Sequence, residues 1–381
     1  MPLALNSAVF LLGNLMRGGS ETKFVRMASR LADQGLPVIL AWLADPQDLL
    51  DEIPDHVEKR PIGLDKSLSA AGALRLGKVI RDDRAQRIVC VNFFPMIYGW
   101  VASQMTPSLR LFASINTTDL HGTREKRFMC LYAPLLRRMD GVVFGSSLQQ
   151  DRWTRQYRLR AESSEVIYIG VDAQRFKPAA ERVRDTLRAG LGIARHERVI
   201  VSIAQLRPEK GHTDLLKAFS RLQSSAMCRL VLVGDGPMRE RLESMASDLA
   251  ISERVVFVGE TRDVEAWLSL ADIFVLASTS VETFSNAALE AAASGLPVVM
   301  TDIGGARELM GEVGEEWLVP PGDPVSLANT LGKLVDSPAL QQAEGRAIRD
   351  RVLEHFNLSQ MDDAWIQILW PEIAEKRSRV A

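Results

Sequence analysis

Two glutamates lie around one predicted strand–loop–helix unit. Glu282 falls in the loop after the apolar run at 273–277, and Glu290 falls about one turn inside the helix that follows. A helix start presents unpaired N–H groups and a partial positive charge, which suits a phosphate. A carboxylate one turn further on can accept both hydroxyls of a ribose, and one in the loop can face a sugar. The pattern therefore indicates a sugar-nucleotide site. The alternative is an ordinary αβ unit with Glu290 on a solvated face.

The residues around the two glutamates predict how this unit is built. The apolar run at 273–277 is typical of a buried parallel strand, and Ser285 is a candidate N-cap for a helix over 286–294. Gly295 and Pro297 fit the end of that helix, because glycine favours the C-cap and proline cannot continue a helix. The sequence thus predicts a helix start directly after the loop that carries the first glutamate.

A second polar run follows the predicted strand at 199–204. It reads Gln-Leu-Arg-Pro-Glu-Lys-Gly over 205–211 and precedes a predicted helix. Cations between the end of a strand and the start of a helix suit phosphate charge, so Arg207 and Lys210 are candidates to bind one. Residues 205 and 207 point the same way if the chain stays extended there. The alternative is a simple exposed turn.

A glycine pair near the N-terminus is a third candidate for anion binding. Gly18 and Gly19 lie between the predicted strand at 8–12 and the predicted helix at 21–34. Two adjacent glycines let backbone N–H groups approach an anion closely. The alternative is a plain helix start with Ser20 as its cap.

Strands and helices alternate along the whole chain of 381 residues. This alternation predicts an α/β protein with parallel sheets covered by helices, and the length favours two domains. We place the first domain at 1–175 and the second at 176–356, with an amphipathic C-terminal helix within 357–381.

Composition excludes several classes of function. The net charge of −2 and the pI near 6.3 argue against nucleic acid as a partner. The three cysteines and five histidines are scattered without disulfide or zinc spacing, so we expect no structural metal and a reducing compartment. The first residues lack the pattern of a signal peptide, and no apolar run reaches about 18 residues. We therefore expect a cytoplasmic protein.

The segment around the two glutamates resembles the signature of a known enzyme family. Glu282 and Glu290 are separated by seven residues, and Ser-Gly-Leu-Pro-Val-Val follows at 294–299. Together with Phe284 and Asn286, this is similar to the retaining nucleotide-sugar glycosyltransferases of family 4, the glycogen-synthase-like group 1 glycosyltransferases. The resemblance implies the GT-B fold: two doubly wound Rossmann-like domains that face each other across a cleft, with the C-terminal helix crossing back to the first domain.

The resemblance also implies roles for individual residues at the sugar-nucleotide donor. Lys210 would neutralise the leaving diphosphate, and Arg207 would replace an arginine that many members carry where this chain has Gln205. Glu282 would contact the transferred sugar, and Glu290 would hold the ribose. The expected catalytic residues are thus Glu282, Lys210 and Arg207, and the other expected donor contacts are Gly18, Gly19, Gln205, Phe284, Ser285 and Asn286.

The acceptor side carries weaker signals. Asn116 ends a predicted strand, and His121 lies five residues further on, in the stretch where many members of the family have a histidine. The segment 124–139 mixes five basic residues with large apolar ones, so it can lie on an anionic membrane surface. The alternative is that its apolar side belongs to the core and its charges are solvated.

The expected activity follows from the resemblance. It is a retaining, metal-independent hexosyl transfer from a UDP- or GDP-sugar to a glycan or lipid-linked acceptor, in surface polysaccharide or glycoconjugate synthesis, with no cofactor beyond the donor. Two alternatives stay open. One is a sugar-nucleotide epimerase on the same fold, which needs no acceptor, and the other is a non-catalytic protein that binds a nucleotide sugar.

Overall fold

The computed structural model describes residues 6–63, 69–118, 123–222, 227–280 and 282–378; within these ranges the side chains of 123–126, 161 and 378 are not described. The chain divides into two compact units. The N-terminal unit comprises Met1–Tyr168 with Ser359–Ala381, and the C-terminal unit comprises Ile169–Leu358.

Every strand of the two sheets pairs in parallel with its neighbours. The strands are β1 Ser7–Leu12, β2 Val38–Trp42, β3 Glu58–Pro61, β4 Ala85–Val91, β5 Arg110–Ile115, β6 Gly141–Phe144, β7 Ser164–Val166, β8 Arg198–Ile203, β9 Cys228–Val233, β10 Val255–Gly259, β11 Ile273–Leu276, β12 Val298–Thr301 and β13 Leu318–Val319.

Helices separate most consecutive strands. They are α1 Gly19–Asp33, α2 Ala70–Asp82, α3 Phe93–Met105, α4 Thr123–Leu136, α5 Ser147–Tyr157, α6 Glu181–Gly190, α7 His212–Arg221, α8 Arg239–Asp248, α9 Val264–Leu270, α10 Asn286–Ala293, α11 Ala306–Met310, α12 Pro324–Val335, α13 Pro338–His355, α14 Leu358–Leu369 and α15 Pro371–Ser378.

The two sheets repeat one strand order. In the N-terminal unit it is β3-β2-β1-β4-β5-β6-β7, and in the C-terminal unit it is β10-β9-β8-β11-β12-β13. Counted from the first strand of each unit, both begin 3-2-1-4-5-6, the order of the Rossmann fold. Ligands in such sheets bind beyond the carboxyl ends of the strands where the order reverses. Those places are the β1/β4 pair in the N-terminal unit and the β8/β11 pair in the C-terminal unit.

The C-terminal helix α14 belongs to the core of the N-terminal unit. Trp365 is fully buried, and its ring lies 5.9 Å from those of both Phe10 on β1 and Phe24 on α1. The buried carboxylate of Asp362 accepts a hydrogen bond of 2.6 Å from Arg30 Nη2. Burial raises the pKa of Asp362, and the hydrogen bond and charge of Arg30 oppose that rise in part. The amphipathic pattern of the sequence thus reflects packing of α14 on the first sheet.

Helix α1 differs from its expected range of 21–34. It begins at Gly19 and ends at Asp33, so the expected start is two residues too late. α4 contains Pro134 and continues past it for two residues, although the proline lacks the N–H that would bond to the carbonyl four residues earlier. Among the helices that can be described, none has the length and apolar character needed to cross a bilayer.

Candidate functional site

The start of α10 lies beyond the carboxyl end of β11. Ser285 is its N-cap, in an extended conformation (φ −84°, ψ 115°), and its Oγ accepts a hydrogen bond of 3.2 Å from Ala288 N. The helix begins at Asn286 and is followed by Gly295 at φ +79°, as the sequence predicts. Alanines and a leucine bury one side of the helix against the sheet. Its N-terminal N–H groups therefore have a fixed position at the switch point.

A lysine–glutamate pair lies at the same edge of the sheet. Lys210 Nζ donates to Glu282 Oε2 at 2.8 Å, and Ser278 Oγ donates to the same oxygen at 3.1 Å. The two charged side chains are only 23% and 11% exposed. Lys210 follows β8 and Glu282 follows β11, and these strands are neighbours in the sheet. Residues 72 positions apart in the chain thus form one partly buried charged pair.

Close backbone contact fixes the turn that carries Lys210. Gly211 has φ +68°, and a Cβ at this position would lie 1.8 Å from the carbonyl oxygen of Ala277. Thr279 N also donates to the carbonyl of Glu209 at 2.8 Å. The turn after β8 is therefore packed directly on the end of β11, where only glycine fits.

A second glycine fixes the loop that carries Glu282. Gly304 has φ +57°, and a Cβ there would lie 2.0 Å from the carbonyl oxygen of Glu282. The next residue, Gly305, donates its N–H to Thr283 O at 2.8 Å. The loop after β12 thus supports the loop after β11, which holds the carboxylate of Glu282 close to Lys210.

The remaining cation of the segment 205–211 is on the surface. Gln205 and Arg207 are exposed, and Leu206 between them is fully buried. Leu206 N donates to Asp235 O at 2.9 Å, which ties the segment to the turn after β9. The guanidinium of Arg207 is 52% exposed, and its Nη1 lies 3.9 Å from Glu209 Oε1. Such a weak, solvated ion pair leaves the arginine able to reorient at little cost.

Glu290 and Phe284 lie on either side of the α10 start. Phe284 packs on Phe356, with ring centroids 5.1 Å apart. Glu290 is partly buried and lies within electrostatic range of Arg175, whose guanidinium is paired with Glu265 at 2.7 Å. The bond to Glu265 is the largest cause of the raised pKa of Arg175, and the charge of Glu290 adds to it. The charges of Arg175 and Glu290 therefore attract each other.

His212 is buried beside Lys210. It is the first residue of α7 and is 3% exposed, and neither ring nitrogen has a hydrogen-bond partner among the described residues. Burial, with a smaller contribution from the charge of Lys210, lowers the pKa of His212 to about 4. The imidazole is therefore neutral at pH 7 and adds no positive charge to the site.

The glycine pair of the N-terminal unit lies after β1, at its own switch point. Gly18 is the N-cap of α1, with an extended backbone and no side-chain hydrogen bond at the cap, and Gly19 is the first helical residue. Ser20 lies inside the helix and does not cap it. A Cβ at Gly19 would meet no atom within 4 Å, so packing does not require glycine at that position.

Asn116 is held by hydrogen bonds to Asn92, a residue that is part of no motif recognised in the sequence. Asn116 follows β5, and its N–H and its Nδ2 each donate to Asn92 Oδ1 at 3.2 Å. Asn92 directly follows β4 and has φ +64°, a conformation that non-glycine residues rarely adopt and that clusters at functional sites. The signal that the sequence offered for Asn92 was its position between a buried strand and a helix. His121 lies outside the described residues.

The structure also adds residues around the lysine–glutamate pair that motif spacing did not reveal. They support the pair through side-chain or backbone contacts and are Ser278, Thr279, Gly211 and Gly304. The described residues contain no group of three or more His, Cys, Asp or Glu side chains arranged to hold a metal ion.

Comparison with known proteins places this geometry in context. Residues 183–351 match the family model described as glycosyl transferases group 1, and residues 17–175 match the model described as glycosyltransferase family 4. The lipopolysaccharide core biosynthesis glycosyltransferase LpsE of Rhizobium meliloti is 31% identical over 365 residues, which cover 92% of this chain and 96% of LpsE.

Other relatives match over a shorter span. The N-acetyl-alpha-D-glucosaminyl L-malate synthase of Bacillus anthracis is 29% identical over 187 residues, 48% of this chain. This match covers only about half of that relative's length (49%).

Solved structures resemble the whole chain. Anabaena HepE in complex with UDP superposes with a TM-score of 0.84 at 22% identity, over 98% of this chain and all of HepE. WaaG, a glycosyltransferase involved in lipopolysaccharide biosynthesis, superposes with a TM-score of 0.71 at 19% identity, over 95% of this chain and 99% of WaaG.

Proposed function

The chain belongs to the group 1 glycosyltransferases with the GT-B fold, and we propose that it transfers a hexose from a UDP- or GDP-sugar to a hydroxyl of a glycan or lipid-linked acceptor. The observation that carries the proposal is the Lys210–Glu282 pair next to the capped start of α10, at the β8/β11 switch point. A cation, a carboxylate and the N-terminal N–H groups of a helix lie there together, as a sugar diphosphate requires.

The positive groups would bind the diphosphate. Lys210 and the N–H groups at the start of α10 would contact its oxygens, and the exposed Arg207 would turn toward it from the neighbouring segment. Stabilising the charge that develops on a leaving group usually contributes more to such catalysis than any other effect. Because these groups would supply the positive charge, we propose no metal cofactor.

The carboxylates would bind the sugars of the donor. Glu290 lies one turn into α10, so it would accept hydrogen bonds from both ribose hydroxyls. Glu282 lies in the loop before the helix, so it would contact the transferred hexose. Gln205, Phe284, Ser285 and Asn286 would line the donor site around them, and Gly18 and Gly19 would add backbone N–H groups near the diphosphate.

We propose that the anomeric configuration is retained through same-face substitution. The bond from the anomeric carbon to the diphosphate oxygen breaks, the bond to the acceptor oxygen forms on the same face, and the leaving phosphate takes the acceptor's proton. Glu282 is engaged by both Lys210 and Ser278. This pairing favours a binding role over that of a nucleophile.

The acceptor is proposed from the relatives. LpsE is named for lipopolysaccharide core biosynthesis, and we propose that this chain also acts in the synthesis of a surface polysaccharide or glycoconjugate. Asn116, with His121 after it, would be on the acceptor side, at the carboxyl ends of the first sheet.

Thermal melting with nucleotides tests the donor site. UDP, GDP, ADP and NAD would each be added at the same high concentration to wild type, Glu290→Ala and Lys210→Ala. A ligand at 100 times its dissociation constant stabilises by about 2.7 kcal/mol, which a melt resolves. We expect one nucleoside diphosphate to stabilise wild type and to stabilise both variants less. Stabilisation by NAD alone, or by no nucleotide, would contradict the proposal.

Product analysis tests the reaction. With the matching nucleotide sugar we expect transfer to an added hydroxyl acceptor, with retained configuration and with activity that survives EDTA. A sugar epimer formed without any acceptor would instead identify an epimerase. Lys210→Ala should reduce the transfer rate well over about tenfold, since it removes charge that stabilises the leaving group.

We also propose that α4 contacts an anionic membrane, which would bring a lipid-linked acceptor to the enzyme. Phe128 and Leu131 are 46% and 48% exposed on this helix, next to the exposed Arg127, and Met129 on the other side is buried. Flotation with phosphatidylglycerol vesicles should retain wild type and release Phe128→Ser with Leu131→Ser. The control is Leu74→Ser, which alters a leucine on α2 that is more exposed still, at 61%. Equal binding by all three proteins would reject the proposal.

A further inference from the structure

A second charged cluster lies at the opposite edge of the C-terminal sheet. Asp272 directly precedes β11 and Arg198 begins β8, so both are at the amino ends of their strands. Lys210 and Glu282 lie beyond the carboxyl ends of the same two strands. The six residues of β8 span about 20 Å. The cluster is therefore separate from the proposed donor site.

Asp272 is surrounded by three arginines. Arg188 Nη2 donates to Asp272 Oδ2 at 2.6 Å, Arg184 pairs with Oδ1, and Arg198 Nη1 lies 4.0 Å from Oδ1. The carboxylate is 4% exposed and also accepts from Val199 N at 2.7 Å. One buried negative charge thus faces three positive charges. With Arg195, Asp185 and Glu181, which line the same cavity, the count is four arginines to three carboxylates, so one positive charge is in excess.

The fold accounts for one of these arginines only. Arg188 is buried, and its other donors reach Leu270 O at 2.8 Å and Glu197 O at 3.3 Å, so its hydrogen bonds are satisfied. The buried Nε of Arg184 has no partner among the described residues. Arg198 has Asp272 as its nearest counter-ion, at a distance too long for a hydrogen bond. Two guanidinium groups therefore retain unused donors.

The residues Arg184 and Arg198 line a concave pocket. The cavity has a volume of about 540 Å³, within the range of small-molecule sites. Its lining includes Pro338, the first residue of the 18-residue helix α13, whose N-terminal end adds a partial positive charge. Arg195 is also at the pocket and is paired with Asp185 at 2.5 Å. The other polar residues of the lining are Glu181, Ser269, Ser294, Gln341 and Gln342, of which Glu181 adds a negative charge.

We propose that this pocket is an anion-binding site for a small molecule with a phosphate group. Guanidinium groups match the geometry of phosphate oxygens and bind them with several parallel hydrogen bonds. A phosphate held by Arg184 and Arg198 neutralises the excess charge around Asp272. It also connects α6, the start of β8 and α13, so its occupancy stabilises the C-terminal unit.

The test is the binding of inorganic phosphate and of glycerol 3-phosphate to the full chain, measured by isothermal titration at constant ionic strength. The proteins are wild type, Arg198→Ala, Lys210→Ala and Arg241→Ala, of which the last alters an exposed arginine on α8 away from the pocket. We expect Arg198→Ala to weaken phosphate binding by about tenfold or more, because it removes one charged donor. The other two variants should bind as wild type does, with UDP present or absent.

Three results would overturn the proposal. In the first, Arg198→Ala binds phosphate as tightly as wild type does. In the second, no protein binds phosphate. In the third, only Lys210→Ala or UDP abolishes phosphate binding, which would place the phosphate in the donor site. Tighter binding of glycerol 3-phosphate than of phosphate would identify a phosphate ester as the ligand, and equal affinity would identify the phosphate ion itself.

A melt without phosphate separates this role from a structural one. The charge of Arg198 opposes that of Arg188, as the lowered pKa of Arg188 reflects together with its burial. Removal of Arg198 should therefore leave the melting temperature unchanged or higher. A lower melting temperature of phosphate-free Arg198→Ala would mean that the fold needs this arginine, and the proposal would fail.

Discussion

The substitution Glu282→Gln should tighten the binding of the donor's nucleoside diphosphate while it slows sugar transfer. In the structure Lys210 Nζ is 2.8 Å from the Glu282 carboxylate, so a diphosphate must compete with that carboxylate for the lysine. Glutamine keeps the size of the side chain and removes its charge. The lysine then attracts the diphosphate without that competition.

The size of the effect follows from the burial of the pair. At 2.8 Å the attraction amounts to several kcal/mol at an effective dielectric constant near 20, but desolvation and side-chain ordering cancel most of it. Exposed pairs contribute about 0–1 kcal/mol, and with exposures of 23% and 11% this pair lies at the upper end of that range. We expect Glu282→Gln to make diphosphate binding more favourable by about 1 kcal/mol, which corresponds to about a fivefold lower dissociation constant.

Isothermal titration with the nucleoside diphosphate that stabilises wild type measures this constant. Four proteins complete the comparison: wild type, Glu282→Gln, Lys210→Ala and the double variant. The double variant should bind like Lys210→Ala, since no lysine remains to be released. Glu316→Gln, which removes an exposed carboxylate elsewhere in the C-terminal unit, controls for the change in net charge.

Transfer assays on the same proteins complete the prediction. The rate with Glu282→Gln should fall by about tenfold or more, because the proposed contact to the hexose is lost. Weaker diphosphate binding by Glu282→Gln, or the same tightening in the Lys210→Ala background, would refute the competition between carboxylate and phosphate. An unchanged transfer rate would refute the contact with the sugar.

Three further predictions concern the folding of the C-terminal unit. Gly211→Ala should lower the free energy of unfolding by over about 2 kcal/mol in urea titrations. The control is Gly192→Ala, which should lower it by only about 1 kcal/mol, because Gly192 has φ +67° but no atom within 4 Å of an added Cβ. Equal losses in the two variants would reject the close contact with Ala277. Ser285→Ala should cost about 1 kcal/mol by removing the α10 cap, and no loss would mean that the cap is dispensable. The folded-state pKa of His212 lies near 4, below an ordinary value of 6.5. Its contribution to the free energy of unfolding is therefore complete above pH 6.5 and is lost as the pH falls toward 4. The free energy of unfolding should fall by about 3 kcal/mol over this range of pH, and His212→Leu should flatten this part of its pH dependence. An unchanged slope in His212→Leu would contradict this role of His212.

Local sequence was sufficient to predict the elements that build the site. Ser285 was recognised as a cap because a hydroxyl before an apolar helical run satisfies a free N–H, and Gly295 because its position needs a positive φ. The alternation of strands and helices likewise predicted two parallel sheets. These features depend on a few neighbouring residues, which is the range over which periodicity and capping operate.

Contacts between distant segments could not be predicted in the same way. The pairing of Lys210 with Glu282 depends on β8 and β11 being neighbours, and strand order is not encoded by spacing along the chain. The close approach of Gly304 to a loop residue depends on the detailed path of two loops. Asn92 is a further case, since its positive φ results from the hydrogen bonds that join the ends of β4 and β5.

The two edges of the C-terminal sheet differ in the charge that folding leaves available. At the carboxyl edge Lys210 is already paired with Glu282. The net attraction for an incoming phosphate is therefore the energy of its pair with Lys210 minus the energy of the Lys210–Glu282 pair that it replaces. At the amino edge the four arginines of the pocket exceed the carboxylates of Asp272, Asp185 and Glu181 by one, and the ion pair of Arg198 with Asp272 is as long as 4.0 Å, so a phosphate meets a guanidinium that the fold holds only weakly. A phosphate without a nucleoside should therefore prefer the amino edge, and a nucleoside diphosphate needs contacts such as that of Glu290 with its ribose to select the carboxyl edge. One sheet can in this way hold two phosphate ligands without competition between them.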